Sequence, residues 1–488
     1  MKPPIERIVF LGLLCQLTMA AAQEFPFSGN LLTRETWTGP VNGFVSYIYD
    51  NDLEVTSRRV NARAAVAFAH DADRLLTVAG DLTITRNPQN GLITGAAIGS
   101  ISESWSYNEF AEPTHYSAVV GATPLYSFQF ARDALGRAIS RTETIGGVTN
   151  EYAYTYDAAD RLTVVTVNGS IAATYTYDAN DNRLNVADDR GPRNGAYDDQ
   201  DRLLSMGAAT YTWTPNGELA TKDVDGQVTR YTYDVLGNLL RIGLPNGTAI
   251  EYLVDGRNRR VGRKINGALT QAFLYEGSLR PVAELDGAGN VVSEFVYGTR
   301  ENVPEYLIKG GQTYRIICDH LGSPRLMVNA ADGQIAQRMD YDAFGQVLAD
   351  TSPGFQPFGF AGGLYDRDTG LVRFGARDYD AETGRWTAKD PILFAAGQPN
   401  LYGYVRNDPV NSTDASGLEE WSSGPSPQAP AVRKLNELRK QLEKSPIQPG
   451  GQSDFCNSFN DKQAQEKGMQ GPPGPGGMKF GFSLTFSF

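Results

Sequence analysis

Residue types that commonly carry catalysis are few and scattered in this chain. Three histidines occur with no paired spacing: His70, His115 and His320. This arrangement argues against a zinc centre or a histidine-based triad. Of the three cysteines, Cys15 falls in a segment predicted to be removed, and the remaining two, Cys318 and Cys456, make no disulfide framework. We therefore predict no metal and no cofactor.

A calcium loop is the next chemistry to consider, because Asp178, Asn180 and Asn182 alternate as cation-binding oxygens do. The sixth position of this segment is Arg183, where a calcium loop needs glycine for its sharp bend. We interpret the three residues as part of a solvated turn.

The composition excludes other classes. The chain has 488 residues, a net charge of −12 and a pI near 4.9, which argues against a surface that neutralises phosphates and hence against nucleic-acid partners. Hydrophobic residues at 41% indicate a folded protein. Glycine, with 52 residues, exceeds the usual ~7% and has to be explained by the fold.

The amino terminus predicts export. Residues 1–22 carry Lys2 and Arg7 before a short apolar stretch, 8–20, and small residues precede a predicted signal cleavage between Ala22 and Gln23. The apolar stretch is too short for the ~20 residues of a membrane-spanning helix, so removal is favoured over anchoring. A bulky leucine before Cys15 argues against a lipoprotein. The mature protein is predicted to be secreted or held at the cell envelope.

A repeat of about 21 residues organises most of the chain. Its clearest copies read YTYDANDNRL and YTYDVLGNLL, and Asp157, Asp178 and Asp198 mark successive copies 21 and 20 residues apart. Tyr-x-Tyr is typical of a strand with one aromatic face, and Asp-x-x-Gly is typical of a turn. Each repeat is therefore predicted to be one β-hairpin, which explains the glycine excess.

Isolated hairpins are only marginally stable in water, so the repeats must pair edge to edge. The predicted fold class is all-β: a long antiparallel sheet that curls into a shell. Most tyrosines are predicted to line a structural wall. The alternative is a row of exposed rings that stacks on carbohydrate, for which Tyr175, Tyr177, Tyr231 and Tyr233 are the candidates.

The repeats, together with two blocks that follow them, resemble the RHS/YD-repeat family. The blocks are DHLGSPRLMVNAADGQIAQRMDYDAFGQV at 319–347 and a segment at 358–418 that contains GARDYDAETGRW and ends in TDASGL. The resemblance implies a hollow shell of β-hairpins that encloses a carboxy-terminal polypeptide. It divides the chain into a signal peptide (1–22), a repeat array (23–310), an RHS repeat-associated core domain (311–418) and a variable tail (419–488).

In several members of that family the core domain is a self-cleaving aspartic protease. The resemblance assigns the catalytic roles to Arg377, Asp390 and Asp414, and the scissile bond to Leu418–Glu419. Two neighbouring carboxyls of which one keeps its proton can act as acid and base toward water. This sequence has Ala415 where the family's terminal motif usually has proline, which removes a fixed φ beside Asp414.

The tail differs in composition from the rest of the chain. A linker-like stretch is followed by apolar residues at helical spacing in 432–444, which predicts one short helix in an otherwise disordered segment. The tail contains no histidine and no catalytic constellation of a toxin enzyme. Its last residues alternate phenylalanine with small or polar residues, as a strand that pairs with a partner's edge does.

These observations predict an exported shell that encapsulates or displays its own tail as a passenger, with self-cleavage as its only enzymatic step, in intercellular competition or at the cell envelope. One alternative is a non-enzymatic surface protein that binds glycans or another envelope protein. The other is a truncated, inactive relative of a larger RHS toxin.

Overall fold

The computed structural model describes residues 31–418, with the backbone of three short strands outside that range. The predicted cleavage position, Ala22–Gln23, lies in the first of these strands, and nothing in the structure tests cleavage there. The rest of the predicted signal segment and, apart from residues 421–422, the predicted tail with its short helix lie outside the described residues. No helix in the described residues is long and apolar enough to span a membrane. Regular structure there consists of strands and of three short 3-10 helices, Phe360–Gly362, Leu393–Ala396 and Val405–Asn407.

The strands of the amino-terminal half are β1 (Ala22–Glu24), β2 (Phe27–Ser28), β3 (Leu31–Leu32), β4 (Arg34–Thr38), β5 (Gly43–Tyr49), β6 (Val55–Val60), β7 (Val66–His70), β8 (Leu76–Ala79), β9 (Leu82–Arg86), β10 (Ile93–Ile98), β11 (Ile101–Tyr107), β12 (Pro113–Val120), β13 (Thr123–Arg132), β14 (Ala138–Ile145), β15 (Val148–Tyr156), β16 (Leu162–Val167), β17 (Ser170–Tyr177), β18 (Arg183–Asp188), β19 (Gly191–Tyr197), β20 (Leu203–Met206), β21 (Ala209–Trp213) and β22 (Leu219–Val224). The remaining strands are β23 (Gln227–Tyr233), β24 (Leu239–Gly243), β25 (Ala249–Val254), β26 (Arg260–Ile265), β27 (Ala268–Glu276), β28 (Arg280–Leu285), β29 (Val291–Val296), β30 (Tyr306–Lys309), β31 (Gln312–Cys318), β32 (Pro324–Asn329), β33 (Ile335–Tyr341), β34 (Val347–Asp350), β35 (Leu364–Tyr365), β36 (Leu371–Phe374), β37 (Arg377–Asp380), β38 (Arg385–Trp386), β39 (Ser412–Thr413) and β40 (Trp421–Ser422).

Thirty-two of these strands form one antiparallel sheet. From β4 to β34 every strand pairs with the next in sequence, and β1 joins the sheet beside β4. The first and last strands do not pair with each other within the described part of the chain, so the sheet is a long strip and not a closed barrel. This confirms the all-β fold class predicted from the repeat.

An aspartate closes the turn in many of the repeats. In the turn after β15, Asp157 Oδ1 accepts the N–H groups of Ala159 and Arg161 at 2.9 and 3.0 Å, and Asp160 has a positive φ of 66°. Arg161 returns a hydrogen bond to Asp157 Oδ2 at 2.8 Å and contacts Asp181 of the next turn at 2.9 Å. The turns therefore lie side by side along one edge of the strip, which we call the turn rim.

Tyrosines before the turn aspartates connect neighbouring hairpins. Tyr177 donates its hydroxyl to the carbonyl of Leu162 at 2.7 Å, and its ring lies 4.9 Å from the guanidinium carbon of Arg161. The same hydroxyl-to-carbonyl bond recurs one hairpin back at Tyr107, Tyr156, Tyr197, Tyr275 and Tyr297. The tyrosine of these repeats thus has a structural role: its ring area is buried and its hydroxyl is bonded to the neighbouring hairpin.

The strip winds so that later hairpins pack against earlier ones. Arg58 donates to the carbonyl of Phe295 at 2.7 Å, and the Ser100 amide donates to the carbonyl of Ala330 at 2.7 Å. A buried ion pair joins Arg315 to Glu103 at 2.9 Å. The residues in these pairs lie more than 200 positions apart, so each contact fixes one turn of the coil against the next.

Residues 351–418, which we call the plug, follow the last strand of the strip. The plug contains the four-stranded sheet β35–β38 and a cluster of buried aromatic rings: Phe360, Phe374, Tyr379, Trp386 and Tyr404. Residues 311–350 of the predicted core domain form the final strands of the strip. The domain division itself stays a prediction.

The plug lies against the turn rim. Arg385 donates to Asn182 Oδ1 at 3.0 Å, Asn400 donates to the same oxygen at 2.8 Å, and Tyr402 donates to the carbonyl of Gly217 at 2.9 Å. Asn411 also donates to the Tyr156 hydroxyl at 2.9 Å. Because these contacts reach three different repeats, the plug holds one edge of the coiled strip in place.

Candidate functional site

Three charged residues assigned from the sequence meet inside the plug. Arg377 begins β37, Asp390 follows β38, and Asp414 follows β39. All three are buried, with no more than 5% of each residue exposed. Burial of three ionisable groups is costly unless they compensate one another.

Arg377 contacts both carboxylates through one nitrogen. Its Nη2 atom lies 2.9 Å from Asp390 Oδ2 and 3.3 Å from Asp414 Oδ2. One guanidinium cannot neutralise two carboxylates, so within this trio one negative charge is left over. That arrangement favours a proton on one of the two acids.

The terminal motif lies directly on this trio. Arg377 Nε donates to the carbonyl of Gly417 at 2.5 Å, and the Leu418 amide donates to Asp414 Oδ1 at 3.1 Å. The Ala376 amide donates to the carbonyl of Ser416 at 2.8 Å. The backbone of residues 416–418 is thus held in place by the Arg377 and Asp414 side chains and by the Ala376 amide.

Two glycines make this close approach geometrically feasible. A Cβ atom on Gly417, whose φ is +68°, would lie 2.4 Å from the carbonyl oxygen of Phe374. A Cβ atom on Gly375 would lie 2.2 Å from the carbonyl oxygen of Ser416. Any side chain at either position would push the terminal motif away from Arg377.

Burial shapes the electrostatics of the trio. It raises the pKa of Asp390 above its ordinary value, with the charge of Arg377 opposing the shift. Burial also lowers the pKa of Arg377, although both aspartates oppose this. The Arg377 guanidinium carbon lies 4.2 Å from the centre of the Trp386 ring, and this cation–π contact stabilises the positive charge.

A small cavity lies against the trio. Its lining includes all three charged residues together with Trp386, Leu393, Leu401 and Leu418. Glu419, on the far side of the predicted scissile bond, lies outside the described residues.

Comparison with known proteins identifies the family. The family model described as Teneurin YD-shell matches residues 13–410, which is most of the chain. This chain belongs to the teneurin YD-shell family. The match confirms the predicted resemblance to YD-repeat proteins.

Relatives and solved structures agree with this assignment. The chain is 27% identical to mouse Teneurin-4 over 420 residues and 28% identical to human Teneurin-1 over 419 residues. These alignments cover 81% and 82% of the chain but only 15% of each teneurin. The Photorhabdus luminescens Tc holotoxin pore matches with a TM-score of 0.66 at 17% identity, over 78% of this chain and 21% of the matched chain. The TcdB2-TccC3 crystal structure matches with a TM-score of 0.66 at 18% identity, over 79% of this chain and 24% of the matched chain. These two structures show that the fold is shared.

Other candidate residues of the YD shell lie elsewhere. Asp178 Oδ1 accepts the amides of Asn180 and Asn182 at 2.8 and 2.9 Å and thereby closes its turn. The imidazole of His320 is buried and contacts the carbonyl of Val410 at 2.8 Å. Burial raises the pKa of the Cys318 thiol to about 12, so this cysteine stays protonated and unreactive at neutral pH.

Two residues of the site had no signal in the sequence analysis. Trp386 supports Arg377, and Ser416 contacts Asp414, yet neither belongs to a residue type that the charge pattern singled out. Ser416 lies within the terminal motif, so its proximity to Asp414 in sequence was the available clue.

Proposed function

We propose that this YD shell is exported, holds or displays the polypeptide that follows Leu418, and cuts its own chain once at the Leu418–Glu419 bond. The convergence of Arg377, Asp390 and Asp414 on the terminal motif carries this proposal. Buried charges of this kind, placed around a small cavity, are typical of catalytic sites.

The proposed step is hydrolysis of one peptide bond. Asp414 accepts a proton from water, and the water oxygen forms a bond to the carbonyl carbon of Leu418. The bond from that carbon to the nitrogen of Glu419 breaks, and the proton of Asp390 passes to this nitrogen. The products are a carboxylic acid on Leu418 and a free amine on Glu419, and the pair of aspartates still holds one proton, now on Asp414.

Arg377 has two roles in this scheme. Its positive charge stabilises the negative charge that develops on the carbonyl oxygen, which is most effective in a site with little water. Its bond to the Gly417 carbonyl keeps the adjacent residue in place. Because the bond to be cut belongs to the same chain, its effective concentration is high and a single turnover suffices.

Asp390 is assigned as the acid because burial raises its pKa. The protonated form is then present below the raised pKa and is lost as the pH rises through it. We therefore expect the cleavage rate to fall with rising pH, approaching tenfold per pH unit above that pKa. The rate can be followed by gel after unfolded chain is diluted into buffers between about pH 4 and pH 9. A rate that increases with pH across this range would contradict the assignment.

The position of the plug supports a role in retention. The terminal motif lies in the plug, and the plug is hydrogen-bonded to the turns of several repeats. A cut after Leu418 would therefore leave the plug on the shell and break the covalent connection between the plug and residues 419–488. The name of one structural neighbour, a holotoxin pore, favours a toxin-related role.

The predicted carbohydrate-binding alternative required exposed rows of tyrosine. Tyr175 is 5% exposed and its ring packs 4.9 Å from that of Phe344. Tyr177 is half-buried with its hydroxyl bonded, and Tyr231 and Tyr233 are also partly buried. These side chains do not form a solvent-facing stacking surface, so the observations favour the shell over the adhesin.

Co-purification tests the proposed function. A chain of residues 23–488 with an affinity tag before Gln23 is expected to give two bands on a denaturing gel that elute together in native gel filtration. Two co-eluting fragments support both cleavage and retention. Complete separation of the small fragment from the shell under native conditions would overturn retention, and a single full-length band would overturn cleavage.

A further inference from the structure

Ser416 makes two hydrogen bonds inside the terminal motif. Its hydroxyl donates to Asp414 Oδ1 at 3.0 Å and accepts the amide of Leu418 at 3.1 Å. The same Leu418 amide also reaches Asp414 Oδ1 at 3.1 Å. One hydroxyl therefore ties an aspartate of the charged trio to the residue whose carbonyl is to be attacked.

The bonds leave Asp414 with its two oxygens differently engaged. Oδ1 is taken up by Ser416 and Leu418, while Oδ2 faces the Arg377 guanidinium at 3.3 Å. Rotation of the carboxylate would break one set of contacts or the other. The hydroxyl thus fixes which oxygen is turned toward Arg377.

The backbone before Ser416 does not supply this constraint. Ala415 permits a range of φ values, and its amide donates no hydrogen bond in the described residues. A local side-chain bond can order such a loop where the backbone does not. Proline at the same position would order it by fixing φ near −65°.

We propose that Ser416 is a positioning residue for self-cleavage, which holds Asp414 and Leu418 in register through its hydroxyl. This inference rests on the proposed self-cleavage. If Ser416 has this role, the cleavage rate depends on its hydroxyl and not on the size of its side chain.

The space around Ala415 allows a second way of ordering the loop. Its side chain borders a small cavity that is also lined by Pro281, Phe358 and Gly375. Among the described residues no hydrogen bond from the Ala415 amide is lost when proline replaces it. An Ala415→Pro change should order the loop without Ser416.

The test compares cleavage rates of the full chain after dilution from denaturant. Ser416→Ala is expected to slow cleavage about tenfold, the effect of one hydrogen bond to a charged group. Ser416→Thr keeps the hydroxyl and should cleave near the original rate. Ala415→Pro combined with Ser416→Ala should recover most of the loss. Ser102→Ala, which removes an exposed hydroxyl of the strip, is the matched control.

Either of two cleavage results would overturn the inference: a Ser416→Ala chain that cleaves at the original rate, or a Ser416→Thr chain as slow as Ser416→Ala. Hydrogen exchange at the Leu418 amide provides a readout independent of cleavage. In an Asp390→Asn background, Ser416→Ala should speed that exchange about tenfold; unchanged exchange would also overturn the inference. If the unaltered chain never cleaves while this exchange effect is present, the proposed function fails and the positioning role of the hydroxyl stands.

Discussion

Asp414→Asn and Asp390→Asn are each expected to lower the self-cleavage rate by about 10²- to 10⁴-fold. Asparagine has nearly the same shape as aspartate and keeps an acceptor for the Leu418 and Ile392 amides that these carboxylates bind. It cannot accept the proton of the attacking water or deliver one to the leaving nitrogen. The fold should therefore persist while the reaction stops.

The measurement is the fraction of cleaved chain against time, with circular dichroism to confirm a folded protein. Asp189→Asn is the matched control, because Asp189 is exposed on a turn between β18 and β19. If the Asp390 and Asp414 variants both cleave at the rate of the control, the pair has no acid–base role.

Trp386→Ala is expected to destabilise the plug by about 3–5 kcal/mol. The indole is 2% exposed and its ring lies 5.9 Å from Phe374, 5.7 Å from Tyr379 and 5.4 Å from Tyr404. Its removal leaves a cavity that these rings cannot fill. The substitution also removes the aromatic face beside Arg377, so cleavage should be lost together with stability.

Urea unfolding in an Asp390→Asn background measures the change in the free energy of unfolding without interference from cleavage. Trp386→Phe is the conservative partner, since it retains a buried ring and should cost less than the alanine variant. An alanine variant as stable as the parent would show that the aromatic cluster does not hold the plug together.

The repeat explains why the local fold could be predicted. Asp157 and the aspartates in equivalent positions predict turns by their residue type and spacing. The hydrogen bonds that close those turns join residues two and four positions apart. Information of this kind lies within one repeat. The edge-to-edge pairing of successive hairpins in one antiparallel sheet was predicted from it.

The winding of the strip could not be predicted in this way. Arg58 and Phe295, or Ser100 and Ala330, meet only because the whole strip has a particular curvature. No periodicity of the sequence pairs them, since their approach depends on the summed twist of all the strands that lie between them. The position of the plug on the turn rim follows from that same curvature.

The candidate site falls between these cases. Arg377, Asp390 and Asp414 were named through the resemblance to the RHS/YD family, and the structure brings both aspartates within 3.3 Å of the Arg377 guanidinium. Trp386 and Ser416 were missed because their roles depend on contacts with Arg377 and Asp414. Those contacts exist only once β37, β38 and the terminal motif have packed together.

The exact mass of the larger fragment, from folded chain of residues 23–488, decides whether the chain cuts itself after Leu418. We expect a fragment whose last residue is Leu418, formed in the unaltered chain and absent in Asp414→Asn. A folded chain that keeps its full mass would contradict self-cleavage. A fragment that ends at Gly417, whose carbonyl Arg377 contacts, would contradict the assignment of the scissile bond.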